Sequence, residues 1–482
     1  MLLERRGERK LRKNSRLFGT AGIRGRYLDK VKPGLAYDIG VSVAAHVGGR
    51  GTITVGHDVR TTSPLLALSA GSGVMSGGVD AIFLGLVPTP VLAYSVPHTK
   101  SKAGIMITAS HNPPPDNGIK VFQYSGMEYT EKMEEELEQI MQVKSKFHAT
   151  WDQVGRLIDA KEIGEDYVEE ISSVLRPRSI KYVPKIYIDC SNGAASNYTP
   201  RILRKMGAKV FSANCHPDGY FPGHEPEPRQ DVLEPFLPVA ASLGPDVIMA
   251  HDGDADRLAV LTTRRGFVKQ DVIIALYSKY KLLEGRGTII VSIDVGNSVF
   301  DVVEKYGGRI VRSKLGKIHE KLLEHPGALL AAEPWKLIDP KWGLWVDGIY
   351  QATLLAKMMM EEGATMDDLL SDIPTYPWAR LSIPIAEMLE NQEEFYEKLK
   401  ERFMSTMGEY ESMSTLDGIR LDFADKSWVL VRMSGTEPKV RIYIEGNDNN
   451  RVDELIEKSL ALTKSVSEEM GLKLEAPTIN RG

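Results

Sequence analysis

One local event recurs along this chain and restricts what it can fold into. "GTITVGHDVR" (51–60), "KIYIDCSNGAAS" (185–196) and "GTIIVSIDVGNS" (287–298) each join an apolar run to a polar, glycine-containing turn. Helix-compatible sequence follows each, as in "SPLLALSAGSGVMSGG" after the first. Strands alternating with helical patterns build βαβ units, which require parallel or mixed sheets. Three related α/β domains account for the pattern, though the similarity is too loose to be a sequence repeat. The last hundred residues break it. "EEFYEKLKERFMSTMGEY" reads as an amphipathic helix, "GIRLDF", "SWVLVRM" and "VRIYIEG" as three strands with a hairpin turn at "ADK", and "NRVDELIEKSLALTKSVSEEMG" as a closing helix. The expected fold is therefore α/β: three related mixed-sheet α/β domains and a smaller α+β C-terminal domain. Boundaries are expected near 155, 262 and 374, giving units 1–155, 156–262, 263–374 and 375–482.

At 482 residues the chain has length for such a set of domains, and 42% hydrophobic with 26% charged residues describes a soluble globular protein. A net charge of −5 gives no reason to expect nucleic acid as a partner. No apolar run approaches the roughly 18–20 residues that span a bilayer. The basic start "MLLERRGERKLRKNSR" lacks the apolar core of a secretory signal and reads as a mobile tail. Cys190 and Cys215 are the two cysteines; no disulfide framework or CxxC metal site is expected from them, and a reducing cytoplasm fits.

Four loops carry the chemistry. In "ITASHNPPPDNGIKVF" (107–122), a buried-strand pattern is stopped by three prolines and an Asn-Gly turn, which displays Ser110 on a stiff loop. Alone, such a serine is ordinary turn chemistry. In "VIMAHDGDADRLAV" (247–260), an apolar strand delivers Asp252, Asp254 and Asp256 before a second strand begins. Carboxylates at alternating positions repel one another unless a cation compensates, and hard oxygen ligands at this density suit Mg²⁺. An EF-hand is excluded, because its loop positions six and twelve would be Arg257 and Thr263. An aspartyl phosphatase stays open, since Asp forms acyl-phosphates. In "VRMSGTEPKVRIYIEG" (431–446), Arg432 and Arg441 flank an SGT turn, a pattern suited to gripping phosphate through backbone N–H groups and guanidinium forks. "FGTAGIRG" (18–25), with Arg24, is a weak signal by itself.

Together these stretches resemble the α-D-phosphohexomutase family, whose members isomerise hexose 1- and 6-phosphates. "FGTAGIRG", "TASHNPPPDNGIK", "DGDADR" and "RMSGTEP" look like its four signatures, and "HPDGYFPGHEPEP" (216–228) like a further family segment. The resemblance covers nearly the whole chain in order and implies four domains around a central cleft. It implies that Ser110 is a phosphoserine, that Asp252, Asp254 and Asp256 hold Mg²⁺ with a phosphoserine oxygen, and that Arg24, His111, Lys120 and Arg257 crowd the transfer site. Lys120 is expected to serve as general acid/base with a depressed pKa. Arg432, Ser434, Gly435, Thr436 and Arg441 would hold the non-reacting phosphate, and a hexose 1,6-bisphosphate would serve as activator. The partners implied are small sugar phosphates, with no nucleic acid and no membrane; a homo-oligomer is left open.

The family's sugar loop, Gly-Glu-x-Ser-Gly-His, is altered here. The corresponding stretch is "AAEPWKLIDPKWGLWVDG" (331–348), where Glu333 is kept to bind sugar hydroxyls and Trp335, Lys336 and Leu337 take the Ser-Gly-His positions. Lys317, in "SKLGKIHE" (313–320), stands where an acidic residue or His is common. Trp335, Trp342 and Trp345 could stack on a sugar, although packing is the commoner role of tryptophan. Asp347 is expected to cap a helix. The first substrate reading is glucosamine phosphate, as in phosphoglucosamine mutases, with mannose and glucose phosphates as the alternative. A phosphatase or bisphosphate synthase on the same scaffold is a second class. A non-catalytic sugar-phosphate-binding paralogue is a third, opposed by the intact nucleophile.

Overall fold

The computed structural model describes residues 16–19, 22–143, 147–385, 392–434 and 438–481. The basic tail and the tip of the SGT loop, including Gly435 and Thr436, lie outside the described residues. Among the described residues no helix is long and apolar enough to cross a membrane.

Four sheets carry the fold, each with helices against it. In the first, the wholly buried strand Ala103–Ile107 runs parallel to Thr52–His57 and antiparallel to Asp116–Gln123. Its apolar sequence suits a strand covered on both faces. The short strand Leu157–Asp159 pairs with Asp80–Leu86, so this sheet reaches just beyond position 155. The second sheet sets Lys185–Asp189 between Lys209–Ala213 and Val247–His251, all parallel, and Val247–His251 turns back antiparallel into Leu258–Thr262. The third places Thr288–Ser292 between two parallel partners and ends in a tight hairpin, Ala328–Glu333 to Lys336–Ile338. The fourth is antiparallel throughout, with the three expected strands at Ile419–Asp422, Trp428–Met433 and Lys439–Glu445. Three α/β units and a C-terminal α+β unit are thus present. The strands Trp378–Pro384, Ser412–Ser414 and Thr478–Arg481 extend that last sheet beyond the sequence expectation.

One apolar core runs through the first three units, so they pack as neighbours. Against it the half-buried Trp342 stacks on Tyr94 and Tyr350, at centroid distances of 5.8 and 5.9 Å. Asp347 caps the helix Gly348–Glu362 by accepting from Tyr350 N, and also accepts from Trp342 Nε1 and Tyr167 Oη. Trp342 and Trp345 are therefore packing residues: the Trp345 ring is buried in the core, the half-buried Trp342 ring packs against it, and both N–H groups are turned to Asp347.

The cysteines depart from expectation. Cys190 and Cys215 form a disulfide that joins the ends of the parallel strands Lys185–Asp189 and Lys209–Ala213. Their 25-residue separation in sequence collapses to a Cα–Cα distance of 4.8 Å because the two strands are hydrogen-bonded neighbours.

Candidate active site

The prolines after Ser110 stop its strand, but a buried arginine shapes the loop. Arg60, wholly buried, donates to the carbonyl oxygens of Ser110 (2.9 Å), Asn112 (2.5 Å), Pro113 (2.7 Å) and Asp116 (2.9 Å). Its Nε meets Asp58 Oδ2 at 3.1 Å, and Asp58 also accepts from Thr108 Oγ1, whose oxygen takes the Ser110 N–H. The loop is thus tied to the strand end at "HDVR". Ser110 itself is held at φ +53°, a left-handed conformation that a non-glycine residue adopts only when its surroundings impose it.

Ser110 Oγ donates to Asp252 Oδ2 at 2.6 Å, across 142 residues of sequence. The backbones meet directly: a Cβ on Gly253 would lie 2.6 Å from Ser110 O and one on Gly193 2.6 Å from Gly253 O, so only glycine fits at either position. Asp252, Asp254 and Asp256 are wholly buried and present ligand oxygens all within 4.8 Å of one another. Asp254 Oδ1 and Asp256 Oδ1 are buried without a hydrogen-bond partner among the described residues. Orphaned carboxylate oxygens converging in this way fit a hard divalent cation. Burial, reinforced by Asp256 and Asp254, pushes the Asp252 carboxyl well above its usual range. Burial acts the same way on Asp256, but Lys120, Lys336 and Arg257 outweigh it and hold that group well below.

Lys120 Nζ lies 2.8 Å from both Asp254 Oδ2 and Asp256 Oδ2. Burial pulls its pKa down, yet the two carboxylates prevail and raise it. This reverses the expected depression: two carboxylates in contact exceed the influence of Arg24. His111 Nδ1 lies 3.3 Å from Ser110 Oγ, and its imidazole is kept neutral by burial and then by Arg257 and Arg24. Arg24, on the edge strand Ile23–Arg26, is pushed down by burial and partly supported by Asp254; its Nε has no partner among the described residues. Arg257 lies 3.8 Å from Asp252, 3.6 Å from Glu227, and over the Trp335 ring.

Glu333 ends its strand, accepts from Gly316 N at 2.6 Å, and is raised by burial against the pull of Lys336. Arg432 pairs with Asp417 at 3.2 Å, and Asp417 accepts from Leu315 N, the neighbour of the Gly316 whose N–H reaches Glu333, so the C-terminal strand end lies on the Glu333 side of the site. Arg441 stands opposite Arg432 in the sheet, and Ser434 N donates to Lys439 O. Ser110, His111, Lys120, Arg24, the three aspartates, Arg257 and Glu333 therefore converge.

Profiles of known families match this chain in four consecutive segments. They are described as phosphoglucomutase/phosphomannomutase alpha/beta/alpha domain I (residues 15–147), domain II (165–266), domain III (269–376) and C-terminal domain (389–461). The chain belongs to the phosphoglucomutase/phosphomannomutase family. As a member it is an enzyme of the mutase type, an isomerase-class phosphotransferase. It is similar to a phosphopentomutase of Thermococcus kodakarensis, 39% identical over 94% of this chain and 99% of that one. It is also similar to a probable phosphoglucosamine mutase of Methanothermobacter thermautotrophicus, 35% identical over 94% and 99%. In fold it matches a phosphoglucomutase/phosphomannomutase family protein from Burkholderia thailandensis, with TM-score 0.83, 24% identity and coverage of 95% and 98%.

Within that family frame the sequence reading passes over several groups. Arg60 stands in the quoted stretch "GTITVGHDVR" with no role assigned from sequence, and the Asp58–Arg60 spacing is the one signal it carries there. Thr89 donates its hydroxyl to Asp254 Oδ2 at 2.6 Å, with nothing in "VPTP" to announce it. Glu227 lay inside the recognised segment without an assigned role.

Proposed function

We propose that this enzyme interconverts the 6- and 1-phosphates of a hexose through a phosphorylated Ser110 and a bound 1,6-bisphosphate. The single observation that carries the reading is a buried serine, held in a strained backbone, with its Oγ 2.6 Å from a cluster of three buried carboxylates. Asp252, Asp254 and Asp256 would hold Mg²⁺, which when bound neutralises charge on the phosphoryl oxygens. The chain's own groups do the rest. The Ser110 oxygen–phosphorus bond breaks as a sugar hydroxyl forms the new one, and the bisphosphate reorients before its other phosphate returns to Ser110. Arg24 and Arg257 stabilise charge on the moving group. Lys120, held protonated by Asp254 and Asp256, gives a proton to the sugar oxygen as a phosphate leaves it and takes that proton back when the oxygen attacks, and His111 steadies Ser110 Oγ. Arg432, Ser434, Gly435, Thr436 and Arg441 hold the phosphate that is not reacting. A loop braced by Arg60 keeps the nucleophile in line for both transfers.

Under this reading each unit, with boundaries near 155, 262 and 374, contributes one part: the serine loop, the aspartate loop, the sugar hairpin and the phosphate loop. A hexose 1,6-bisphosphate acts as activator because Ser110 must carry phosphate before the first turnover. Glucosamine phosphate is the first substrate reading, supported by the phosphoglucosamine mutases among the relatives. A second reading, pentose phosphate, has the phosphopentomutase at 39% identity in its favour. Phosphorylated sugars are charged and held inside cells, which favours a cytoplasmic enzyme.

The test is phosphorus NMR with Mg²⁺ and a trace of hexose 1,6-bisphosphate, on the phosphate pairs of glucosamine, mannose, glucose and ribose. Interconversion of the glucosamine pair, abolished in Ser110→Ala and by chelation, is the expected result. Turnover of ribose phosphates alone would favour the second reading, and no Ser110-dependent turnover of any pair would overturn both.

A further inference from the structure

The altered hairpin leaves an ammonium group in an unusual state. Its turn is pinned at three points: Trp335 O accepts from Leu258 N and from Gln351 Nε2, each at 3.0 Å, and Trp335 N donates to Gln270 Oε1 at 3.2 Å. Trp335 sits at φ +68°, so the strain of a left-handed tryptophan is absorbed to keep this turn in place. The next side chain, Lys336, is therefore aimed by the fold. Its Nζ stands 3.7 Å from Asp256 Oδ2 and 3.7 Å from Glu333 Oε1, with the side chain only 10% exposed.

Both separations are too long for a hydrogen bond. The three N–H donors of Lys336 thus have two charges nearby and no hydrogen-bond acceptor among the described residues. An ammonium mostly withdrawn from water with no protein acceptor is costly, and its donors call for one. A second orphan faces the same small cavity, of about 20 Å³, lined by Glu128, Gly316, His319, Glu333 and Lys336. His319 has a 9% exposed side chain, and its Nε2 is buried without a partner. A space of that size admits one water-sized polar group. The cavity touches the aspartate loop through Lys336 and the sugar-binding candidate Glu333 through the same residue.

The chemistry of the pair is selective. Lysine can only donate, and an ionised glutamate can only accept. Two adjacent ring substituents satisfy both when one is a hydroxyl whose oxygen takes the lysine proton and the other carries a proton for the glutamate. We propose that Lys336 is a specificity-determining residue that donates to a sugar hydroxyl beside the substituent held by Glu333, so that the site selects vicinal diols or vicinal amino alcohols. An amino sugar then binds with its ammonium on Glu333 and the neighbouring hydroxyl on Lys336. A neutral sugar presents two hydroxyls. His319 Nε2 meets the hydroxyl, or the single water, that enters the small cavity it lines. This rests on the mutase reading for its substrates and adds what the altered hairpin does.

The experiment measures KM and kcat of the full-length enzyme and of Lys336→Met and Lys336→Arg. The substrates are glucosamine 6-phosphate, mannose 6-phosphate, ribose 5-phosphate and the 3-deoxy analogue of whichever is turned over. Calorimetric binding of the same compounds to Ser110→Ala, with and without Lys336→Met, runs in parallel, and thermal melts show that the variants fold. Loss of a charge-assisted hydrogen bond is expected to raise KM roughly 10- to 100-fold in Lys336→Met, with the loss falling on KM and not on kcat. Lys336→Arg should recover part of it, and the 3-deoxy analogue should be indifferent to the substitution. An equal loss on the deoxy analogue, or a loss confined to kcat, would overturn the proposal by assigning the ammonium to the moving phosphoryl group. Unchanged KM, or no binding of any of these sugars, would also overturn it. Lys336-dependent binding without turnover would retire the mutase reading while leaving Lys336 in its assigned role.

Discussion

The two sides of the candidate site are built on opposite principles. On the nucleophile side, the serine loop, Arg60, Asp58, Thr108 and Thr89 satisfy one another through short hydrogen bonds between segments far apart in sequence. On the sugar side, His319 Nε2 is buried without a partner, the mostly covered Lys336 ammonium has no hydrogen-bond acceptor among the described residues, and Glu333 receives one backbone bond. The bracing of the serine loop is complete before substrate arrives, as in-line phosphoryl transfer requires, while the carboxylate oxygens Asp254 Oδ1 and Asp256 Oδ1 beside it stay open for a cation. The sugar side is incomplete in a way that a sugar can finish.

Three substitutions can break or sharpen that contrast. The largest effect belongs to Arg60→Met. It strips four carbonyls of their donor and leaves Asp58 buried without its partner, which should cost about 3–5 kcal/mol of stability. Urea unfolding checks this, and kcat should fall with it. A stable, active Arg60→Met enzyme would mean that the prolines alone hold the loop. Next comes the paired change Cys190→Ser with Cys215→Ser. Opening a loop of this length should lower stability by roughly 2–4 kcal/mol. Because Ser191 Oγ donates to His251 O and Ala194 N to Gly253 O, the loosening should reach the aspartate loop and reduce kcat. A melt that drops while kcat stays constant would confine the disulfide to stability.

Glu333→Gln should have the smallest effect, and of the opposite character. Burial raises the Glu333 pKa, against the pull of Lys336. An acid whose folded pKa exceeds its unfolded value of 4.5 favours folding at low pH, and that advantage is lost as pH rises through the folded value. At neutral pH the glutamine variant should therefore be at least as stable as the parent, while KM rises about tenfold from the loss of a charged acceptor. A destabilised Glu333→Gln would show that the sugar side is also internally braced.

Much of this was legible in the sequence because it depended on local patterns. Alternating strands and helices signalled the three α/β units, proline and Asn-Gly punctuation marked the Ser110 loop, and the spacing of Asp252, Asp254 and Asp256 marked the acidic cluster. What escaped depended on register between distant segments. Arg60 reaches carbonyls some fifty residues away, and no spacing within "HDVR" encodes that. The cysteine pair became visible only once strands Lys185–Asp189 and Lys209–Ala213 were known to be neighbours. The sign of the Lys120 shift turned on two distances of 2.8 Å, and residue types alone supplied the cation and the carboxylates without saying which lay closer. Trp342 and Trp345 became packing residues through Asp347, a cap that the sequence did suggest.

The contact of Ser110 O with Gly253, and of Gly253 with Gly193, bears on how a sugar could enter and turn. Backbone pressed on backbone has no side-chain rotamer with which to adjust. The first two units are therefore seated against each other like the fixed jaw of a vice, and separating them would break the Ser110–Asp252 bond on every catalytic cycle. The third unit is seated in the same way, since Leu258 N donates to Trp335 O and a Cβ on Gly348 would lie 2.5 Å from Arg257 O, so any opening wide enough to admit a phosphosugar and let a bisphosphate reverse must come from the C-terminal unit, which carries Arg432.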